Sequence, residues 1–350
     1  DSSIDATQAK SVNISSSIGL SYRLFNGFSG IYTLRMFEKQ NNIADENTRY
    51  QIELKILDII KQYYDMLNRK HIYNTVKTSH QISLERYNQA LERHNLGAIS
   101  KINLLNAEVN LNQDKVQMEE SLIKLRESEL NLKLLLGTPD LSFDLQHEFN
   151  FNQNLDIETL LKQTFSNNAS IIIAELNYSV AKDELKISKS NFSPSIDLFS
   201  SYSYNNRKSE TSFISEQKDN GVIAGINVEI PIFSSNMRRK NFQNAKINLD
   251  SKNHSLEHIQ ETIKTALLNA YYNYSENLNN LVLMKSNLET IEKTANINKE
   301  LYDLGQISNL EYRESQILLD QAEISYNSKL SQTKIQEYII YQLSGQLQSK

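Results

Sequence analysis

The chain has 350 residues, with 37 Lys and Arg against 42 Asp and Glu, a formal net charge of -5, 9 Gly, 3 Pro and no Cys. Without cysteine there are no disulfides or thiolate metal sites, and no basic run suggests a surface that tracks nucleic-acid phosphates. A mean hydropathy of -0.51 suits long helices that each bury a narrow stripe, and no run of 18 apolar residues is present to span a membrane as a helix.

Taken in chain order, a polar opening segment gives way to VNISSSIGLSYRLF (12–25), in which Val12, Ile14, Ile18, Leu20, Tyr22 and Leu24 alternate with Asn13, Ser15, Ser17, Gly19, Ser21 and Arg23. A period of two predicts a strand with one apolar and one wet face. After the turn NGFSG a helix is predicted from about 29 to 95, with Ile52, Ile56, Ile59, Ile60 and Tyr63 at three- and four-residue steps. At 1.5 Å per residue it is roughly 100 Å long, which calls for a coiled coil or an elongated bundle. Gly97 ends it, and a second helix returns over 99–136. Residues 138–155, with Pro139, are predicted as a loop, followed by a helix pair (156–166 and 169–190).

The next segment, SPSIDLFSSYSYNN, places Ile196, Leu198, Tyr202 and Tyr204 opposite Asp197, Ser201 and Ser203, a second strand of the same kind. A polar loop over 206–220 leads to a third, GVIAGINVEIPIF (221–233), with Val222, Ala224, Ile226, Val228, Ile230 and Ile232 on one face and Ile223 breaking the other. A second long helix is predicted from about 237 to 303, a break at Gly305, and a return helix over 308–343. Strands of this length and alternation are what a transmembrane β-barrel requires. Three of them cannot close one, and open edges are not tolerated in lipid, so closure needs several copies of the chain.

The chain repeats itself. A shift of 208 residues carries LGAIS (96–100) onto LGQIS (304–308), Tyr63-Tyr64 onto Tyr271-Tyr272, Phe25 onto Phe233 and Gly137 onto Gly345. The domains follow: a first repeat over 1–137, a linker over 138–155, and a second repeat over 156–350. The helix pair and strand of the second repeat have no counterpart in the first, so the repeat predicts such a segment, with a signal peptide, ahead of Asp1.

This plan, with YDLGQISNLEYRESQILLDQAE, HNLGAISKINLLNAEVNLNQDK, LFNGFSG and SPSIDLFSSYSY, resembles the TolC family of outer-membrane efflux and secretion channels over essentially the whole chain. The resemblance implies a mainly helical fold with transmembrane β: antiparallel helical hairpins forming an α-barrel in the periplasm, and strands given to one barrel shared by a homotrimer. It implies as partners a periplasmic adaptor, an inner-membrane pump and outer-membrane lipid, with no cofactor and no nucleic acid. It places an acidic constriction at Glu311 and Glu314 and a hairpin-locking tyrosine at Tyr302. The tyrosine's acidic partner would fall at Asn103, and a locking arginine at Ile307, where neither residue fits the family pattern; the closed state is then expected to be held more weakly, or by other contacts. The resemblance makes Leu96, Gly97, Ala98, Ile99 and Ser100, and Leu304, Gly305, Gln306, Ile307 and Ser308, the adaptor-docking tips. Read from the residues alone, the tips are ordinary helical turns and the two glutamates a solvated face.

His254 and His258 are four apart on a helix but have no third ligand in the pattern, and no nucleophile, phosphate loop or acid–base pair argues for catalysis. The alternative is a soluble coiled-coil scaffold or periplasmic adaptor. The strands separate the two readings, because their apolar faces would be an aggregation hazard on a soluble protein.

Overall fold

The computed structural model describes residues 10–139, 149–210 and 213–347. Among these residues, nine elements run in the order β1 (Ser11–Asn26), α1 (Ser29–Asn95), α2 (Lys101–Leu136), α3 (Ile157–Asn167), α4 (Ala169–Ser190), β2 (Ser195–Ser209), β3 (Glu216–Glu229), α5 (Met237–Asp303) and α6 (Asn309–Leu343). The opening residues 1–9 and half of the expected linker, 140–148, lie outside the described residues; its far end, 149–155, is irregular. No helix among the described residues is long and apolar enough to cross a membrane.

The duplication is written into the backbone. Every described residue with positive φ has a partner 208 positions away: Gly27 with Ser235, Phe28 with Asn236, Gly97 with Gly305, and Gly137 with Gly345. The last two pairs agree closely, φ 74° and 72°, then 68° and 68°. Helices α1 and α5 are both 67 residues long. The two repeats therefore turn through the left-handed region at the same places; at Gly97, Gly305, Gly137 and Gly345 that region is one glycine enters freely. Their surroundings have diverged. A Cβ on Gly137 would meet nothing, whereas one on Gly345 would stand 2.5 Å from the backbone oxygen of Asn167.

The chain divides into two compact units, one comprising the residues up to Asp45 with Ile173–Glu257, the other Glu46–Ile172 with the residues from His258 on. The first unit holds a single antiparallel sheet in the order β1-β2-β3. Its register sets apolar residues side by side: Ile18 beside Tyr202 beside Val222, Leu20 beside Ser200 beside Ala224, Tyr22 beside Leu198 beside Ile226, and Phe25 beside Ile196 beside Val228. Leu24 is bulged out between Arg23 and Phe25. The extra residue brings odd-numbered Phe25 into rows otherwise filled by even positions. From Ile18 to Phe25 these rows extend about 23 Å along the strand, close to the roughly 25 Å apolar band of an outer-membrane barrel. The opposite face is polar, with Ser17 beside Ser203 and an ion pair from Arg23 Nε to Asp197 Oδ1 at 2.7 Å. Phe199 on that face lies over Gly225, where a side chain would meet its ring at 3.0 Å.

Two strand boundaries correct the sequence-based expectations. β3 ends at Glu229, so Ile230 and Ile232 lie beyond the strand. Pro231 has no N–H to give to a ladder, and the strand stops ahead of it. At the other end, most of the expected polar loop is strand: β2 runs to Ser209 and β3 starts at Glu216. Those residues carry no apolar alternation because both faces are wet; they are joined by the ladder and by Glu216, which pairs with Lys218 at 3.0 Å and Lys208 at 3.4 Å.

The second unit is helical. Leu160 of α3 joins Leu267, Ala270 and Tyr274 of α5 and Ile340 of α6 in one core, with Phe151 and Leu155 packed against it. A second cluster unites Met66 and Leu67 of α1 with Leu132 of α2, under Phe149. Elsewhere the helix seams are closed by small polar residues, among them Ser79, Ser83, Ser121, Ser128, Ser331 and Thr333, all buried. That usage explains how so much helix packs on so lean a hydrophobic content.

Candidate functional site

The two tips are built alike. Gly97 N–H donates to His94 O at 2.9 Å and Ala98 N–H to Arg93 O at 2.8 Å; Gly305 N–H donates to Tyr302 O at 3.0 Å and Gln306 N–H to Leu301 O at 2.8 Å. These are paired left-handed caps that satisfy the last carbonyls of α1 and α5. Ser100 and Ser308 then start the return helices as N-caps. Leu96 is 83% and Leu304 72% exposed, while Ala98 and Gln306 are exposed and Ile99 and Ile307 half-buried. The structure thus presents the apolar tip residues to solvent.

Glu311 and Glu314 lie one turn apart on α6, both exposed. They face a groove lined by Ile291, Thr294, Asn298, Ile307, Ser315 and Leu318. Glu311 also starts its helix. Ser308 N–H donates to its Oε2 at 2.7 Å, and its own N–H donates to Ser308 Oγ at 3.2 Å, a capping box. Those bonds from the Ser308 backbone and then its hydroxyl hold the Glu311 carboxyl below its ordinary range. At the corresponding places of the first repeat stand Asn103 and Asn106, so one tip is acidic and the other carries neutral amides.

Tyr302 stacks on Tyr312, ring centroids 4.9 Å apart and planes within 20°, with Arg93 beside it at 5.9 Å. It shares a groove with Asn103 and Arg313, but no hydrogen bond joins Tyr302 to Asn103 among the described residues. Its face, not its hydroxyl, makes the contact.

The ties between the hairpins are residues that the sequence reading missed. Arg313 of α6 grips Asp114 of α2 through both terminal nitrogens, Nη1 to Oδ2 at 2.6 Å and Nη2 to Oδ1. Ser83 of α1 donates to the same carboxylate. Arg86, buried, donates from Nη1 to Gln316 Oε1 at 2.7 Å and from Nη2 to Asn309 Oδ1 at 2.6 Å, and lies 5.4 Å from the Tyr312 ring. Burial, and then the neighbouring Arg313, lower the Arg86 guanidinium from its usual value. The repeat carried a usable signal: the positions matching Arg86, Asp114 and Arg313 in the other half are Thr294, Ala322 and Leu105. Each repeat carries charges that residues of the other bond.

One turn further along α6, Asp320 is half-buried near Ser79, Glu323, Arg313 and Asp114. Burial, with the Glu323 carboxylate adding to it, pushes its carboxyl up to about 6, against the bond from Ser79 and the Arg313 charge. The folded carboxyl is raised above its ordinary value, so the ionised form opposes folding. Stability is expected to increase as pH falls through about 6 towards 3.8. Asp320→Asn should therefore stabilise the protein at pH 7 on the order of 2 kcal/mol and flatten the slope of stability over that window. Denaturant midpoints of both proteins across that range check this; an unchanged slope contradicts it.

Finally, α2 exposes Ile102, Val109, Val116, Ile123 and Leu130, each more than half exposed and each seven residues from the next. A stripe at that spacing is the seam of a helix packed against another helix.

The profile of a family described as outer membrane efflux protein matches residues 160–346. The outer membrane protein TolC of Escherichia coli is 19% identical over 97% of this chain and 70% of its own length. Among solved structures, a membrane protein from Pseudomonas aeruginosa superposes with a TM-score of 0.81 at 14% identity, covering 97% of this chain and 81% of that one. The CmeC outer membrane channel of Campylobacter jejuni does so with 0.80 at 16%, covering 97% and 78%. At these identities the structural matches speak for the fold.

Proposed function

The chain belongs to the outer membrane efflux protein family, a family of outer-membrane channels and not of enzymes, and from that premise we propose that it is one subunit of a homotrimeric conduit serving a tripartite efflux pump or a type I secretion system. A periplasmic adaptor docks on the tips at Leu96–Ser100 and Leu304–Ser308 and links the channel to an inner-membrane pump. The carrying observation is the sheet, whose apolar residues fall into common rows on one exposed face, while among the described residues β1 and β3 leave both edges unpaired. Hydrocarbon accepts that face but not those edges, so strands of further copies must complete the barrel. The α2 stripe supports the same assembly, since it offers a neighbouring helix a ready seam.

In such a trimer Glu311 and Glu314 gather six carboxylates around the lumen, which favours cations and disfavours anions. The assembled protein in planar bilayers tests this. Glu311→Gln with Glu314→Gln is expected to lower the cation preference, read from the reversal potential in a salt gradient, and to weaken block by multivalent cations. Glutamine also serves in the capping box, so the fold survives the change. An unaltered reversal potential and block would return both glutamates to the solvated surface of α6.

A further inference from the structure

Between the end of β3 and the body of α5 the chain changes character in a way its repeat partner does not. Ile232 is 94%, Phe233 81% and Met237 64% exposed. Arg238, Arg239 and Lys240 follow at once, and the first turn of α5 contains no acid. The matching residues of the first repeat are Gly30, Ile31 and Tyr32, which carry no charge. Three cations at the start of a helix repel one another and oppose its positive end. Among the described residues none of the three makes an ion pair. Arg239 and Lys240 are exposed, so the cluster offers an uncompensated positive patch to an anion from outside.

The place of the patch says which anion. The lipid-facing rows of the sheet end at Val228, and Ile232 and Phe233, both exposed, follow a few residues beyond the end of the strand. Below it, away from the bilayer core, come the cations. An apolar band followed by a cationic band is the profile of a phospholipid viewed from its acyl chains to its phosphate. We propose that this junction binds the headgroups of anionic phospholipids in the periplasm-facing leaflet, with Ile232, Phe233 and Met237 against the acyl chains and Arg238, Arg239 and Lys240 on the phosphate. The proposal rests on the membrane-channel reading, which sets the direction of the bilayer. It explains why only one repeat carries the triplet: with both repeats in each of several copies, cationic and uncharged junctions alternate around the barrel, and lipid is held at the cationic ones.

The test uses the full chain, inserted and assembled in nanodiscs of phosphatidylcholine with and without phosphatidylglycerol. Retained lipid is counted by native mass spectrometry, and affinity is measured with a fluorescent phosphatidylglycerol. The wild type is expected to retain phosphatidylglycerol over phosphatidylcholine, with a preference that falls as salt is raised. Each cation contributes about fivefold near an anionic surface, so Arg238→Gln with Arg239→Gln and Lys240→Gln should weaken phosphatidylglycerol binding at least tenfold and leave phosphatidylcholine unchanged. Arg238→Lys with Arg239→Lys keeps the charge and should keep the preference. Glycerophosphoglycerol, the headgroup without chains, should compete poorly; full competition would make this an ordinary anion site and overturn the lipid assignment. Equal binding by the wild type and the Gln variant in an assembled barrel overturns the proposal alone. Failure of the wild type to insert as an oligomer overturns the channel reading, and this proposal with it.

Discussion

Asp114→Ala is expected to destabilise the protein by about 3–5 kcal/mol, the usual cost of removing one partner of a buried ion pair. The Asp114 side chain is 5% and the Arg313 side chain 12% exposed, so the arginine left behind cannot recover its hydration. Ser83, buried at 2%, loses its acceptor at the same time. The loss should appear as a lower denaturant midpoint by circular dichroism at constant slope. Replacing both ions tests the cause. Asp114→Leu with Arg313→Met leaves no stranded charge and should restore much of the stability, while the double-mutant cycle reports the coupling. A loss below about 1 kcal/mol for the single variant would mean that the pair is screened like a surface bridge.

The second large effect concerns the sheet. Ile18→Arg or Ile226→Arg puts a cation into the apolar rows and should cost roughly 2–4 kcal/mol at the bilayer midplane. Ser17→Arg and Asn227→Arg lie on the other face, in the rows of Ser203 and Asp197, and should be accepted. Insertion yield into vesicles and heat resistance of the assembled species separate the two sets. Equal damage from both would reverse the assignment of faces.

What was legible follows from how local each signal is. The ends of α1 and α5 were readable because glycine stands where the backbone must turn left-handed, and the duplication supplied each boundary twice. The faces of the strands were readable because lipid demands strict alternation. The upper part of the β2–β3 hairpin was not, since in water both faces are polar and nothing alternates. Pro231 was visible, but the apolar pattern running through it to Ile232 outweighed it. The Arg313–Asp114 tie was hidden for another reason: two charges far apart in sequence look like solvated helix residues until packing brings them together. The tip groups Glu311, Glu314 and Tyr302 were singled out through resemblance alone, and the structure adds what resemblance did not contain, a capping box for one and a ring stack for another.

The near-identity of the two tips has a consequence for whatever meets them. Three copies of a chain that carries its hairpin twice present six turns of matching backbone geometry but only threefold chemistry, because Glu311 and Glu314 on one turn replace Asn103 and Asn106 on the next. A partner of sixfold symmetry can read the shape six times, yet it meets an acidic and a neutral neighbour in alternation. Such a partner must either grip main chain and apolar tips alone, or seat identical subunits in two unlike states. The duplicated chain thereby fixes which rotations of a ring on the channel are equivalent: a third of a turn restores every contact, and a sixth of a turn exchanges charge for amide.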